Sequence, residues 1–357
     1  MAAKKKTLRK HRVLALMHSD LIPPEDVKKL DEQEFLELKT EYDVLQGLQR
    51  LGHEARPLGL VDDLAPLRSA ITEFKPHIVF NLLEEFHGSV LLDQNVVSFL
   101  ELVQVPYTGC NPRGLMIARD KALSKKILHY HRIPVPRFQV VPKSRRLKRK
   151  PAALEYPLIV KSLYEEASLG ISEASVVYSD EKLVERVEFM HDKIGSDAIL
   201  EQYIDGRELY VGVIGNHRLR VLPPLELSIG KLRADAPRIA TRRVKWDPAY
   251  QQRRDVRLAP AKDLAPEAAR ALLQVTRRAY RLLGLSGYAR MDFRLGPDNR
   301  PYFLEANPNP DIAREAELAE AAELDGLDYP ALLDRVLRVG LAPRRARLRP
   351  LSAAPRE

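Results

Sequence analysis

The chain is 357 residues long and 45% hydrophobic, with a formal net charge of +9. That length and hydrophobic content supply two or three packed domains and exclude a chain without a core. One cysteine, Cys110, excludes an internal disulfide and a cysteine-built zinc cluster. No run is long and apolar enough to span a bilayer, and MAAKKKTLRKHR lacks the apolar stretch of a secretory signal, so a cytoplasmic protein is expected. The positive charge collects in that first run, in KSRRLKRK from Lys143 to Lys150, and in RRARLR near the end. None carries interleaved aromatics, so solvated loops and tails are expected rather than nucleic-acid contacts.

In chain order, Val13 to Met17 reads as a buried strand. Glu34 to Leu51, with Phe35, Leu38, Tyr42, Leu45 and Leu48 at helical spacing, reads as the helix after it, closed by Gly52. HIVFNLL from His77 is a second apolar strand and Val90 to Leu102 a second helix, leading into Pro106-Tyr107-Thr108-Gly109. This alternation predicts a parallel sheet covered by helices. Asp120-Lys121 opens a helix that stops before Ile133-Pro134-Val135-Pro136, where an extended segment and a new domain begin. Tyr156 to Val160 is a buried strand with Lys161 at its tip, placed to project an ammonium into an adjoining cleft. Ala198 to Ile204 is a further strand, turned by Asp205-Gly206 into Arg207 to Val213. Ile229 to Arg257 is polar, basic and aperiodic, an unusually long connection for a compact domain. Pro266 to Leu283 reads as an amphipathic helix, Glu315 to Leu324 and Tyr329 to Val339 as two more, and residues from about Ala342 as a disordered basic tail.

The most informative stretch is RMDFRLGPDNRPYFLEANPNPD, Arg290 to Asp311. Met291, Phe293 and Leu295 alternate with Arg290, Asp292 and Arg294, and Tyr302, Leu304 and Ala306 with Phe303, Glu305 and Asn307. Gly296-Pro297-Asp298-Asn299 joins the two runs as a turn. With Leu295 opposite Arg300, Arg290 would face Glu305 and Asp292 would face Phe303. Two carboxylates and an amide on one face suit a hard cation, Mg²⁺ above all, shared with phosphates. Asn307-Pro308-Asn309-Pro310 then ends the sheet.

ARMDFRLGPDNRPYFLEANPNP resembles the ATP-grasp carboxylate-amine ligases, in their D-alanine:D-alanine ligase-like branch, and the collinear motifs from about 105 to 340 strengthen the resemblance. It implies an ATP-grasp fold of α/β and α+β domains: an N-terminal α/β domain at 1–112, a central subdomain at 113–200 and a C-terminal subdomain at 201–341 with the metal site, followed by the tail at 342–357. ATP is expected between the central and C-terminal domains. By position, Asp292, Glu305 and Asn307 hold two Mg²⁺ ions, for which Mn²⁺ can substitute. Arg290 stabilises the transition state, and Lys245, beside Trp246 in the long connection, reaches the γ-phosphate. Lys121 and Lys161 contact phosphates, and Ser168 lies in EEASLG, the slot of the loop that closes over them. Glu201 meets the adenine amine, Gln202, Tyr203 and Ile204 meet the base through their backbone, and Glu208 meets the ribose.

The implied reaction joins a carboxylate to an amine through an acyl phosphate, with small-molecule substrates and no membrane span; the resemblance leaves a homodimer open. The alternative is a non-catalytic Mg-ATP-binding regulatory or scaffold protein using its basic segments on nucleic acid, against which the retention of Arg290 with Asp292, Glu305 and Asn307 counts. Asp311 replaces a glycine of the D-alanine:D-alanine ligases and Ala316 a hydroxyl residue, so a different acceptor is expected. Asp311 or Glu315 would attract its amine and Arg314 would take its carboxylate.

Overall fold

The computed structural model describes residues 9–165, 169–233 and 236–342. Its N-terminal part alternates strand and helix: β1 (Arg12–His18), α1 (Glu32–Arg50), β2 (Glu54–Leu60), α2 (Ala65–Phe74), β3 (Ile78–Asn81) and α3 (Asp93–Leu102). The three strands form a parallel sheet in the order β2-β1-β3. Leu14 to Met17 are at most 2% exposed, as a strand covered on both faces must be. Asp31 and Glu34 cap α1 reciprocally at 2.8 and 2.9 Å. The sequence reading missed β2 and α2 because Glu54-Ala55-Arg56-Pro57 at the sheet edge lacks an apolar run.

Two short helices, α4 (Pro112–Arg119) and α5 (Lys121–Tyr130), lead into a second sheet. Asp120 caps α5 through Ala122 N and Leu123 N at 2.9 and 2.8 Å, which fixes Lys121 at the first helical position. The second sheet is antiparallel, in the order β4-β7-β5-β6: β4 (Phe138–Val141), β5 (Leu158–Ser162), β6 (Val176–Val177) and β7 (Ala198–Gln202), with α6 (Asp180–Phe189) packed on it. Its core of Val141, Leu158, Val160, Leu183, Val187 and Leu200 is separate from the others.

The third sheet runs β11-β10-β8-β12-β13 with β9 on β8. Its elements are β8 (Arg207–Ile214), β9 (Arg220–Val221), β10 (Leu225–Ile229), α7 (Arg242–Trp246), α8 (Pro248–Arg254), β11 (Val256–Pro260), α9 (Pro266–Leu282), β12 (Tyr288–Leu295) and β13 (Pro301–Asn307). The segment read as an aperiodic connection, 229–257, is therefore bracketed by antiparallel strands and holds two helices started by Thr241 and Asp247. Likewise Arg207 to Val213 pairs with β12 rather than folding back on β7, so the chain crosses between sheets at Asp205-Gly206.

Helix α9 lays Leu272, Val275, Ala279 and Tyr280 against Val211, Met291 and Phe293 on one face of this sheet. Gly287 lets the start of β12 meet the Pro106-to-Gly109 loop: a Cβ there would stand 2.1 Å from Gly109 O, and its φ is +73°. Finally α10 (Glu317–Leu324) and α11 (Tyr329–Leu341) return to the first sheet, where Leu332, Leu333 and Val336 share a core with Val13, Met17 and Val44. The N-terminal sheet thus lies beside the C-terminal one and not at the end of a tether.

Candidate active site

The site is built on the β12–β13 ladder, whose register differs from the simple hairpin. Phe293 pairs with Phe303, but Asp292 pairs with Glu305 and Arg290 with Asn307, because Leu304 is an extra residue in β13. The bulge reverses the phase of β13. Phe303 turns into the core, edge-on to Phe293 at 5.9 Å, while Leu304 and Glu305 both face the cleft. The two acids become direct cross-strand neighbours, about 5 Å apart at Cβ. A two-residue alternation cannot carry that information.

Arg290 is 6% exposed and grips Asp292 with Nε and Nη2 at 2.8 and 3.1 Å. Its third nitrogen meets Glu317 at 3.1 Å, and the guanidinium lies 5.0 Å from the Tyr210 ring centroid. Burial outweighs this arginine at Asp292 and pushes its carboxyl up. At Glu305 the balance reverses: burial opposes ionisation, but Lys121, Lys161, Lys245 and Lys125 together hold the carboxyl down at about 2. Glu305 is an anion at any working pH, with Lys121 Nζ at 3.8 Å.

Those lysines come from three elements, α5, β5 and α7. Lys121 also donates to Glu165 O at 2.6 Å, at the edge of the described part of the phosphate-loop slot; Ser168 lies outside the described residues. Lys161 at the tip of β5 donates to Glu201 Oε2 at 3.0 Å, and Lys125, one helical turn after Lys121, sits 2.7 Å from Glu201 Oε1. Lys125 also donates to the carbonyl of the bulged Leu304, so one fully buried side chain ties α5, β7 and β13 together. Glu201, itself 0% exposed, is kept ionised by these two lysines against its burial. Lys245 reaches the same space from α7, with Nζ 5.7 Å from the Tyr210 ring centroid.

One cleft is lined by Lys161, Glu201, Gln202, Tyr203, Ile204, Glu208, Lys245, Asp292 and Glu305. Ile159 from the second sheet, Ile171 from the segment between β5 and β6, and Ile239 from the long excursion give it apolar walls, the setting a flat base needs. At the hinge, Gln202 N donates to Arg137 O at 2.8 Å and Tyr203 N to Pro157 O at 3.0 Å, whereas Ile204 N donates to nothing among the described residues. Glu208 accepts from Tyr210 Oη at 2.9 Å and pairs with Arg294 at 2.9 Å. Asn307 and Arg290 lie one ladder step beyond Asp292, outside the cleft lining.

Sequence reasoning missed Lys125, Arg294 and Glu317. The first two were within reach, as the i+4 partner of Lys121 and the next outward residue after Asp292; Glu317 arrives from α10 and has no local signal. The substrate reading of Arg314 and Glu315 needs correction. Arg314 Nε is 3.3 Å from Asp43, its backbone N–H donates to the same carboxylate, and Glu315 is paired with Lys39. Both residues dock the C-terminal segment on α1.

A cleft between two sheets, walled by isoleucines at one end and crowded with lysines over two opposed carboxylates at the other, defines a ligase of the ATP-grasp class. The family model described as D-ala D-ala ligase C-terminus matches residues 127–338. A Sinorhizobium fredii protein, y4sG, is 31% identical over 83% of this chain and 85% of its own length. The D-alanine–D-alanine ligase of Desulfotalea psychrophila is 31% identical over 73% of this chain and 77% of its own. Among solved structures, the D-alanine–D-alanine ligase from Bacillus anthracis complexed with ATP superposes with a TM-score of 0.71 at 22% identity, covering 93% of this chain and 97% of that one. The VanG D-Ala:D-Ser ligase from Enterococcus faecalis gives 0.67 at 18% identity, covering 93% and 100%. The chain belongs to the D-alanine–D-alanine ligase family.

Proposed function

We propose that the protein uses ATP and Mg²⁺ to activate a carboxylate as an acyl phosphate and pass it to an amine, releasing ADP and phosphate. The observation that carries this reading is the Glu305 carboxylate held at about 2 by four lysines beside Asp292 and its bidentate arginine. Such an array matches a polyphosphate with its cations. The adenine stacks between Ile159, Ile171 and Ile239, with Ile204 N–H as the free donor to the base, and Glu208 takes the ribose hydroxyls. Glu201, held by two lysines, sets their ammonium groups toward the phosphates; that role fits its geometry better than the adenine contact inferred from position. Lys121, Lys161 and Lys245 offset the phosphate charge. Ser168 belongs to the same reading through its place in the phosphate loop.

Asp292 and Glu305 offer carboxylate oxygens from one cross-strand pair, and Asn307, two residues along β13, offers an amide oxygen; each carboxylate oxygen keeps a lone pair beyond its present partner, which fits Mg²⁺. Two ions, exchangeable for Mn²⁺, belong to this reading; when bound they neutralise the phosphate oxygens. Arg290, fixed by Asp292 and Glu317, supplies positive charge where the reacting carbonyl oxygen becomes anionic. The 229–257 excursion covers the cleft and excludes water from the acyl phosphate.

The same reading divides the chain at 1–112, 113–200 and 201–341, with the nucleotide between the last two units, and places the protein in the cytoplasm, as the single free cysteine supports. Neither a second copy nor nucleic acid is needed. The acceptor is other than D-alanine, since Asp311 and the buried Ala316 follow the site segment where the resemblance implies a glycine and a hydroxyl residue; a fold neighbour named a D-Ala:D-Ser ligase is in keeping with this reading. Amine-dependent ADP release over a panel of D- and L-amino acids tests the reading. Efficient D-alanyl-D-alanine synthesis would overturn the acceptor assignment, and absence of turnover with every pair would overturn the ligase reading.

A further inference from the structure

Arg294 is the penultimate residue of β12, two positions beyond Asp292, and is 4% exposed. Its guanidinium gathers three segments of the chain. Nη1 donates to Gly206 O at 2.9 Å, in the turn where the chain crosses between sheets. Nη2 pairs with Glu208 Oε2 at 2.9 Å and also donates to Arg238 O, inside the 229–257 excursion. An Nη nitrogen carries two hydrogens, so Glu208 and the excursion hang from the two N–H bonds of one atom. Arg238 is held from its other side as well, its N–H donating to Tyr203 Oη at 3.1 Å, and the Tyr203 ring centroid lies 5.8 Å from the Arg294 guanidinium carbon. The residue fixed in this way precedes Ile239, a buried part of the cleft wall.

Glu208 has acceptor capacity left. Its Oε1 accepts from Tyr210 Oη at 2.9 Å and its Oε2 from Arg294. A carboxylate offers about four lone-pair sites, so each oxygen keeps one for a ribose hydroxyl. Hydroxyls on Glu208 fix the carboxylate, the carboxylate fixes Nη2, and Nη2 fixes the Arg238 carbonyl. Stability alone does not account for this arginine, because a buried ion pair replaced by well-packed apolar side chains is often neutral or stabilising. Nor would any cation serve. A lysine could neutralise Glu208, but a compact ammonium lacks the planar fork whose two nitrogens span Gly206, Glu208 and Arg238.

We propose that Arg294 is a positioning residue that transmits occupancy of the ribose site at Glu208 to the 229–257 excursion, so that the cleft closes fully only on a nucleotide with its ribose hydroxyls. The assignment rests on the ligase reading for the nucleotide and adds to it a link between sugar recognition and closure. The phosphates draw Lys245 inward; the ribose, through Arg294, sets Arg238 and Ile239 against the base.

The test offers the full chain ATP and 2′,3′-dideoxy-ATP, each with Mg²⁺. Half-saturation is read by melting-temperature shift, and closure by the rate of tryptic cleavage after Arg242, Arg243 and Lys245 with each nucleotide saturating. Dideoxy-ATP should need about tenfold more for half-saturation, the cost of leaving Glu208 without its hydroxyls. At saturation it should protect the excursion several-fold less than ATP does. Arg294→Lys, which keeps a charge beside Glu208, should abolish that difference while the protection common to both nucleotides remains, and Glu208→Gln should do the same from the other side of the pair. Equal protection by the two nucleotides in the parent protein would overturn the proposal with no variant needed, so a variant that fails to fold does not shield it. A difference that survives both substitutions, or a loss that falls on both nucleotides alike as mere structural support would give, would also overturn it. A ribose-dependent difference without ADP release from any acceptor would leave Arg294 its role and sink the ligase reading; ADP release with no such difference would do the reverse, and failure of both nucleotides to bind would sink both.

Discussion

The two ends of the site differ in how their charges are settled. At the nucleotide end, Glu201 has a lysine on each oxygen, Arg290 is bidentate on Asp292, and Arg294 holds Glu208. The excess there is positive, in Lys121 and Lys245, as a site for a polyanion requires. At the far end the acids are held back from ionising: Glu41 is buried, and burial together with Glu84 and Asp311 pushes its carboxyl up to about 8. Internal pairs keep the charges of the first end ionised without a ligand, whereas burial at the second end is met by holding a proton.

The largest expected effect comes from the nucleotide end. Glu305→Gln keeps the shape but removes the anion that four lysines surround, leaving an amide where a doubly charged ion must be held. Turnover should fall by roughly a thousandfold or more, consistent with losing one preorganised electrostatic contact, while circular dichroism at 25 °C still reports a folded chain of lowered melting temperature, because the depressed carboxyl also contributes stability. Retained Mg-dependent ADP formation near the wild-type rate would remove Glu305 from the metal site.

Next is Lys125→Met, which tests whether the pairing at this end is structural support for function. Loss of a fully buried ammonium leaves one Glu201 oxygen and the Leu304 carbonyl without their partner. Removing one member of such a pair costs roughly 3–5 kcal/mol. Denaturant unfolding reads that loss, and half-saturation by Mg-ATP should rise at least tenfold because Lys161 and the bulge lose their anchor. A variant as stable and as tight for Mg-ATP as the parent would show that Lys125 merely fills space.

How much of this was legible in the sequence follows the same divide. The nucleotide end is carried by strands whose outward residues recur with period two and by a capped helix start, so Arg290, Asp292, Glu305, Lys121 and Lys161 could be named from local pattern and order. The pairing of Asp292 with Glu305 was not legible, because it depends on one extra residue, Leu304, whose freed carbonyl needs Lys125 from another segment. Glu41 looked like an ordinary polar position on α1. Only the return of the C-terminal segment, tied by Thr40–Asp311 and Arg314–Asp43, buries it. Long-range docking of this kind leaves no mark in a local window.

A third prediction addresses the acid end without substrate. Glu41 titrates at about 8 when folded against an ordinary 4.5, so its folded pKa is raised. Its neutral form contributes stability in full below pH 4.5, and that contribution is lost as pH climbs through 8. Glu84, Asp311, Glu317, Asp43, Tyr288 and Tyr329 face the same region, and Asp311, also raised by burial, shifts stability in the same direction. Glu41→Gln should therefore match the parent near pH 5 and exceed it by on the order of 3 kcal/mol at pH 8.5 in denaturant unfolding. Parallel pH profiles for the two proteins would mean that Glu41 already has a counterion and that the contrast between the two ends is wrong.

The smallest effect concerns how the two ends are joined in time. The excursion at 229–257 contributes Lys245 and Ile239 to the cleft, yet it is fastened chiefly by short contacts within itself, such as Gln251 Nε2 to Val244 O at 3.0 Å. Among the described residues its ties to the rest of the cleft include Arg238 N to Tyr203 Oη at 3.1 Å, Arg294 on Arg238 O, and an exposed pair of Arg233 with Glu173 at 3.6 Å. An element held so lightly opens at little cost and closes when phosphates draw Lys245 inward. Trypsin should therefore cut after Arg242, Arg243 and Lys245 in the free protein several-fold faster than with saturating Mg-ATP. Equal cleavage with and without Mg-ATP would show that the excursion is a fixed wall, and the cleft would then have to fill through the opening it already has.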